Sequence, residues 1–176
     1  ESVRKRLPQR EKQLSEELPM MDDFSRTSMK EIRRFLSGEP IGEFVHGTLL
    51  ERLKDDATFV RDGLGVRVIV ESEPDELQLP QEVEREVYYI LKEGVTNIAK
   101  HAHASNLAIF IQQNGETLSG SLTDNGVGFE YSALKGNTGF GLTGMMSRVK
   151  KIGGELYIKS SPGAGTKITF AVPLLN

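Results

Sequence analysis

Asn114-Gly115 separates two short runs, residues 106–113 and 117–124, and constrains the fold more than any other feature of the chain. Asn-Gly suits the positive-φ positions of a two-residue turn, so the runs return on each other as antiparallel neighbours. The second run ends in Asp124-Asn125-Gly126-Val127-Gly128, where the strand gives way to a glycine-rich loop. A second turn, Ser161-Pro162-Gly163-Ala164-Gly165, joins run 155–160 to run 166–173. Upstream, Val66, Val68 and Val70 alternate with Arg67, Ile69 and Glu71, which predicts one more strand.

Helical periodicity fills the intervals. In residues 88–102, YYILKEGVTNIAKHA, a helix at about 100° per residue gathers Val87, Ile90, Leu91, Gly94 and Ile98 on one face. Glu93, Asn97 and Lys100 fall along the adjoining edge. That edge is either a solvated border or a place for chemistry. Thr48 with Glu51 predicts a capped helix whose apolar residues are Leu49, Leu50, Leu53, Ala57 and Val60, closed by Asp62-Gly63 and Gly65. Pro80 sits near the first turn of the central helix. A last helix, 142–152, has Leu142, Met145, Met146 and Val149 inward and stops at Gly153-Gly154. The expected fold is α+β, a two-layer α/β sandwich with a mixed, mostly antiparallel sheet and helices on one face.

A heptad-like register precedes it, from Leu7 to Phe35, weakened by Pro19 and three polar steps. It predicts a kinked helix, best formed over 22–36, that packs on its own domain or serves a dimer. Ser37-Gly38-Glu39-Pro40 then marks a hinge, dividing the chain into a helical segment at 1–40 and a main domain at 41–176.

Three motifs could carry chemistry. Asp124 is acceptor-only and could take a hydrogen bond from an exocyclic amine, while the neighbouring glycines let a planar ring approach the backbone. Adenine fits that chemistry, although Asp-Asn-Gly is also a common plain turn. Gly139-x-Gly141 before a helix offers N–H groups and a positive dipole end to phosphate, or is only a tight connection. Gly163-x-Gly165-Thr166 reads first as a hairpin, with Thr166 able to add a hydroxyl near a base. On the helix edge, Asn97 offers an amide oxygen to Mg2+, Lys100 a charge against phosphate, and Glu93 a carboxylate to orient water or receive a proton.

A net charge of −3 supplies no basic field for nucleic acid, so any bound polyanion is small. The chain has no cysteine, and its three histidines lack paired spacing, which gives little support to disulfide, thiolate or zinc chemistry.

Taken in order, Glu93-x-x-x-Asn97, Asp124-x-Gly126-x-Gly128, Gly139-x-Gly141 and Gly163-x-Gly165-Thr166 resemble the N, G1, G2 and G3 boxes of the GHKL ATPases, which share the Bergerat α/β sandwich. More narrowly, KEGVTNIAKHAHASNL and GFGLTGMMSRVKKIGGELYIKSSPGAGTKITFAVP look like sensor histidine kinases that partner response regulators with LuxR-type DNA-binding domains. The resemblance implies ATP and Mg2+ as cofactors. It implies that Asn97 holds Mg2+, that Asp124 recognises adenine, and that Gly126 and Gly128 line the base pocket. Lys100 and His101 would lie near the phosphates, with Lys100 and Glu93 as catalytic groups. A mobile lid would run over about 129–138, with Gly139, Phe140, Gly141 and Leu142 at its far end, and Thr166 would join the water network around the base.

The implied reaction passes the γ-phosphoryl group to a histidine on a dimerisation domain of a homodimeric parent. None of the histidines fits that acceptor: His46 precedes Gly47 rather than an aspartate and lies too near Asn97 for two long helices, while His101 and His103 belong to the central helix or its end. Because the chain opens on Glu1, it is expected to be a fragment, cytoplasmic in this part, with membrane attachment of the parent left open. The alternatives are a serine-phosphorylating anti-sigma kinase of the same superfamily, or a module that only senses the nucleotide.

Overall fold

The computed structural model describes residues 47–131 and 140–174. The expected helix and hinge within 1–40, His46, Gly139 and most of the expected lid lie outside the described residues.

Helix α1 (Leu49–Leu64) starts where the Thr48–Glu51 pair predicts. Thr48 Oγ1 accepts the Glu51 N–H at 3.3 Å, and Glu51 Oε2 accepts the Thr48 N–H at 2.7 Å. These bonds satisfy two of the donors that a helix start leaves without intrahelical partners. The helix runs through Asp62 and Gly63 and ends at Gly65, which adopts the left-handed conformation.

Five strands follow: β1 (Arg67–Glu73), β2 (Asn106–Asn114), β3 (Thr117–Asp124), β4 (Glu155–Ser160) and β5 (Thr166–Pro173). Their order is β1-β2-β3-β5-β4, with β1 and β2 parallel and every other pair antiparallel. Alternation decides the faces. Leu107, Ile109, Ile111, Leu118, Leu122, Ile168, Phe170 and Val172 are buried, whereas Ile69, Phe110 and Tyr157 remain exposed.

Parallel strands need a crossover, and helix α2 (Gln81–Asn97) supplies it between β1 and β2. Val87, Ile90, Leu91, Gly94 and Ile98, the expected apolar face, are all buried. Gly94 brings the helix close to the sheet, for a Cβ there would lie 2.8 Å from Leu122 Cδ1. Leu122 is two residues before Asp124, so this approach sets the end of α2 beside the end of β3.

The central helix departs from expectation at its C-terminal end. It begins at Gln81, directly after Pro80, and its last turn, Ile98–Ala102, is a π-helix closed by His103 at φ 49°. A π turn advances by fewer degrees per residue than an α turn, so the 100° projection fails beyond Asn97. The expected shared edge of Glu93, Asn97 and Lys100 was projected at 100° per residue, a rotation that does not hold as far as Lys100.

Helix α3 (Phe140–Lys151) completes the layer, starting two residues before the expected position. It is tied to α2 through Glu86, whose side chain is 4% exposed. Arg148 and Lys151 each donate to Glu86 at 2.8 Å, and Arg85 does so at 3.1 Å. Burial raises the Glu86 carboxyl, but these donated hydrogen bonds outweigh it and hold the group below the ordinary glutamate value of 4.5. On the other side of α2, Tyr88 donates to Asp56 of α1 at 3.1 Å, and burial pushes the Asp56 carboxyl up against the pull of Lys92.

A carboxyl held low contributes stability above its unfolded pKa and loses that contribution as pH falls through the folded value. Glu86→Gln should therefore lower stability by about 1–2 kcal/mol at pH 7 and make the loss of stability below pH ~4.5 shallower. Urea unfolding at both pH values measures this; parallel losses in the two proteins would contradict it.

Candidate functional site

The ends of α2, β3 and β5 meet at Asp124, the last residue of β3, which is 5% exposed. Asp124 Oδ1 accepts the Gly126 N–H at 2.6 Å, while Oδ2 is buried with no hydrogen-bond partner. The loop that follows is fixed from three sides. Asn125 Oδ1 accepts the N–H groups of Ser105 at 3.0 Å and Asn106 at 2.9 Å, pinning the loop to the start of β2. Val127 donates its N–H at 2.7 Å to the carbonyl of Ala102, at the end of the π turn. Gly126 packs on that same carbonyl, and a Cβ at either Gly126 or Gly165 would overlap a backbone oxygen, of Ala102 or of Asp124 respectively.

Beside Asp124 opens a cavity of about 670 Å³. Of the residues expected from sequence, Asn97, His101, Asp124 and Gly128 line it from α2, the π turn and the β3 loop. Gly141, Leu142 and Thr166 line it from the start of α3 and from β5. Gly126 stands just behind the wall as the partner of Asp124 Oδ1. Glu93 does not line the cavity, but its carboxylate is the group that a Cβ on Gly141 would strike, so it lies against the start of α3. Lys100, within the π turn, is exposed and is not among the lining residues. Phe140 opens α3, and its side chain is outside what the structure describes.

Gly94, Ile98, Ala102, Leu122 and Ile168 add apolar wall, and Phe129 and Glu130 complete the lining. A largely apolar cavity with an unpartnered carboxylate oxygen on one of its lining residues is suited to a flat heterocycle that carries an amine. Among the described residues no group of three or more His, Cys, Asp or Glu side chains could hold a metal by itself.

A family model described as histidine kinase-, DNA gyrase B-, and HSP90-like ATPase matches residues 82–176, more than half of the chain. The chain belongs to this ATPase family. Over 105 residues it is 34% identical to an uncharacterized sensor-like histidine kinase of Chloroflexus aurantiacus, a match covering 57% of this chain and 18% of that protein. Over 97 residues it is 33% identical to the signal transduction histidine-protein kinase/phosphatase DegS of Brevibacillus brevis, covering 55% and 25% respectively. The chain thus spans about a quarter or less of the length of these curated relatives. The histidine kinase domain from the Erythrobacter litoralis EL346 blue-light activated histidine kinase superposes with a TM-score of 0.60 at 21% identity, over 84% of this chain and 74% of that one. That likeness establishes the shared fold.

Within this ATPase domain, sequence reasoning missed Ser160 and had Phe129 and Glu130 only as the first residues of the expected lid. Phe129 and Glu130 line the cavity, and Ser160 Oγ accepts the Phe129 N–H at 2.9 Å. A signal for Ser160 was available: Leu156, Ile158 and Ser160 share one face of β4 by period-two alternation, which places a hydroxyl at a core-facing position.

Gly163 and Gly165 both have positive φ, +79° and +69°, but a Cβ meets nothing within 4 Å at Gly163 and overlaps the Asp124 carbonyl at Gly165. Gly163→Ala should cost about 1–2 kcal/mol for backbone conformation alone. Gly165→Ala should cost at least about 1 kcal/mol more, from overpacking. Urea denaturation of both variants reads the difference, and equal losses would contradict this packing of β5 on the β3 loop.

Proposed function

We propose that this chain is the ATP-binding catalytic domain of a sensor histidine kinase, which binds Mg-ATP and passes the γ-phosphoryl group to a histidine on a dimerisation domain. The single observation that carries this proposal is that Asp124, a residue lining a largely apolar cavity, has a buried Oδ2 without a hydrogen-bond partner. A buried acceptor left open costs free energy unless a ligand donor completes it. The exocyclic amine of adenine is such a donor, and the flanking walls enclose its ring.

From the base, the nucleotide would extend toward Asn97, His101 and Gly141. Gly141 and Leu142, in the first turn of α3, offer the positive end of a helix to the phosphates. Asn97 would give its amide oxygen to Mg2+, a cation that takes its other ligands from phosphate and water, which suits a site without a protein cage. Bound there, Mg2+ would offset charge on the β- and γ-phosphates. Glu93, against the start of α3, would orient the attacking group, and Lys100 would act in charge neutralisation from the rim. The parent would be a homodimer that works with a response regulator carrying a LuxR-type DNA-binding domain; the likeness to the signal transduction histidine-protein kinase/phosphatase DegS supports a place in signal transduction. No helix among the described residues is long and apolar enough to cross a membrane, and the expectation for this domain remains cytoplasmic.

Incubation of the chain with γ-labelled ATP, Mg2+ and a separately supplied histidine-bearing helical hairpin of the parent tests the reaction. Acid-labile, base-stable label on the hairpin is the expected result. Label on serine of a partner protein would favour an anti-sigma kinase, and ATP binding without transfer a sensing module. Asp124→Asn replaces the open acceptor with a group that can present an amide N–H, and ATP affinity should fall about 10- to 100-fold by calorimetry. An unchanged affinity would remove Asp124 from base recognition.

A further inference from the structure

Ser160 does not line the cavity, yet its hydroxyl makes three contacts at once. It accepts the Phe129 N–H at 2.9 Å, it lies 3.0 Å from the carbonyl oxygen of Gly165, and it lies 3.1 Å from Thr166 Oγ1. A hydroxyl has one proton and two acceptor sites. The Gly165 carbonyl has no proton to give, so the Ser160 proton goes to it; otherwise two oxygens would face each other 3.0 Å apart with no hydrogen between them. One Ser160 acceptor site is taken by Phe129. The other can only be filled by Thr166, which must therefore donate its own proton to Ser160.

This chain of single protons fixes the polarity of the base pocket. With its proton turned toward Ser160, Thr166 presents only lone pairs to the cavity that it lines. Asp124, which also lines the cavity, carries in Oδ2 a second acceptor, without a partner. Both groups then ask the ligand for donors. A 6-aminopurine offers two N–H bonds at that edge, whereas a 6-oxopurine offers carbonyl lone pairs in the same position.

Resting on the adenine-nucleotide reading of the cavity, we infer that Ser160 is a specificity-setting positioning residue: it holds Thr166 as an acceptor and so excludes 6-oxopurine nucleotides without touching the base. Removing its hydroxyl frees the Thr166 proton to rotate into the cavity and donate to a 6-oxo group. The preference for ATP over ITP then narrows, even if both nucleotides bind more weakly because Phe129 has lost its anchor.

Calorimetric titration of the chain with ATP and with ITP, for the unaltered protein, Ser160→Ala, Ser160→Cys and Ser160→Thr, tests this. The ATP-to-ITP affinity ratio should fall at least about fivefold in Ser160→Ala. It should fall similarly in Ser160→Cys, which keeps the volume and a folded site with only weak hydrogen bonding, and should be retained in Ser160→Thr. Equal weakening of both nucleotides, with the ratio unchanged in Ser160→Ala or Ser160→Cys, would show a merely structural role and overturn the inference alone. Failure of the unaltered chain to bind either nucleotide would overturn the ATP reading and this inference with it.

Discussion

A carboxylate held in a protein interior with one oxygen satisfied and the other open is an expensive arrangement, and the rest of the site exists to maintain it. Asp124 Oδ1 is committed to Gly126, and Oδ2 is buried without a partner. Relaxation would be simple if the loop could move, since a nearby backbone N–H or solvent could reach the open oxygen. The loop cannot move freely. Asn125 is bonded to the start of β2, Val127 to the end of the π turn, and Gly165 presses on the Asp124 carbonyl. Preorganisation of this kind leaves ligand binding to supply the missing donor without first reshaping the pocket.

The same convergence explains why core and site are hard to separate in this domain. Helix α2 packs on β3 through Gly94 and Leu122, and each of these residues also lines the cavity. On its flank, Glu86 ties α2 to α3, whose first turn brings Gly141 against Glu93. An ion cluster remote from the cavity thereby holds the two elements that would receive the phosphates.

Much of the fold was legible because its determinants are local. The hairpin after residue 113, the Thr48–Glu51 cap and the alternation of Leu107, Ile109 and Ile111 each rest on a few neighbouring residues, and the observed elements follow them, although the turn falls one residue later than expected: Asn114 pairs with Thr117 as the last residue of β2, and Gly115, at φ 57°, makes the turn with Glu116. The edge carrying Lys100 was not legible, because nothing in Ile98-Ala99-Lys100-His101-Ala102 announces a π turn; its carbonyl at Ala102 is fixed by Val127, 25 positions further along the chain by their numbering. Nothing local marks Glu86 for burial, since its partners Arg148 and Lys151 stand 62 and 65 residues away in sequence. In the candidate site, the ordered glycine motifs located Asp124, Gly128, Gly141 and Thr166 at one cavity. Ser160 went unread because a hydroxyl's role depends on where its one proton goes, and that requires the positions of Phe129, Gly165 and Thr166 together.

The central claim is that Asp124 Oδ2 is the acceptor for an adenine amine. A crystal structure of the chain with a non-hydrolysable ATP analogue and Mg2+ tests it most directly. The account predicts the base in the slot between Ile98 and Ile168, its exocyclic nitrogen about 2.7–3.2 Å from Asp124 Oδ2. A base seated elsewhere, or an Oδ2 still unpaired beside a bound nucleotide, would contradict it.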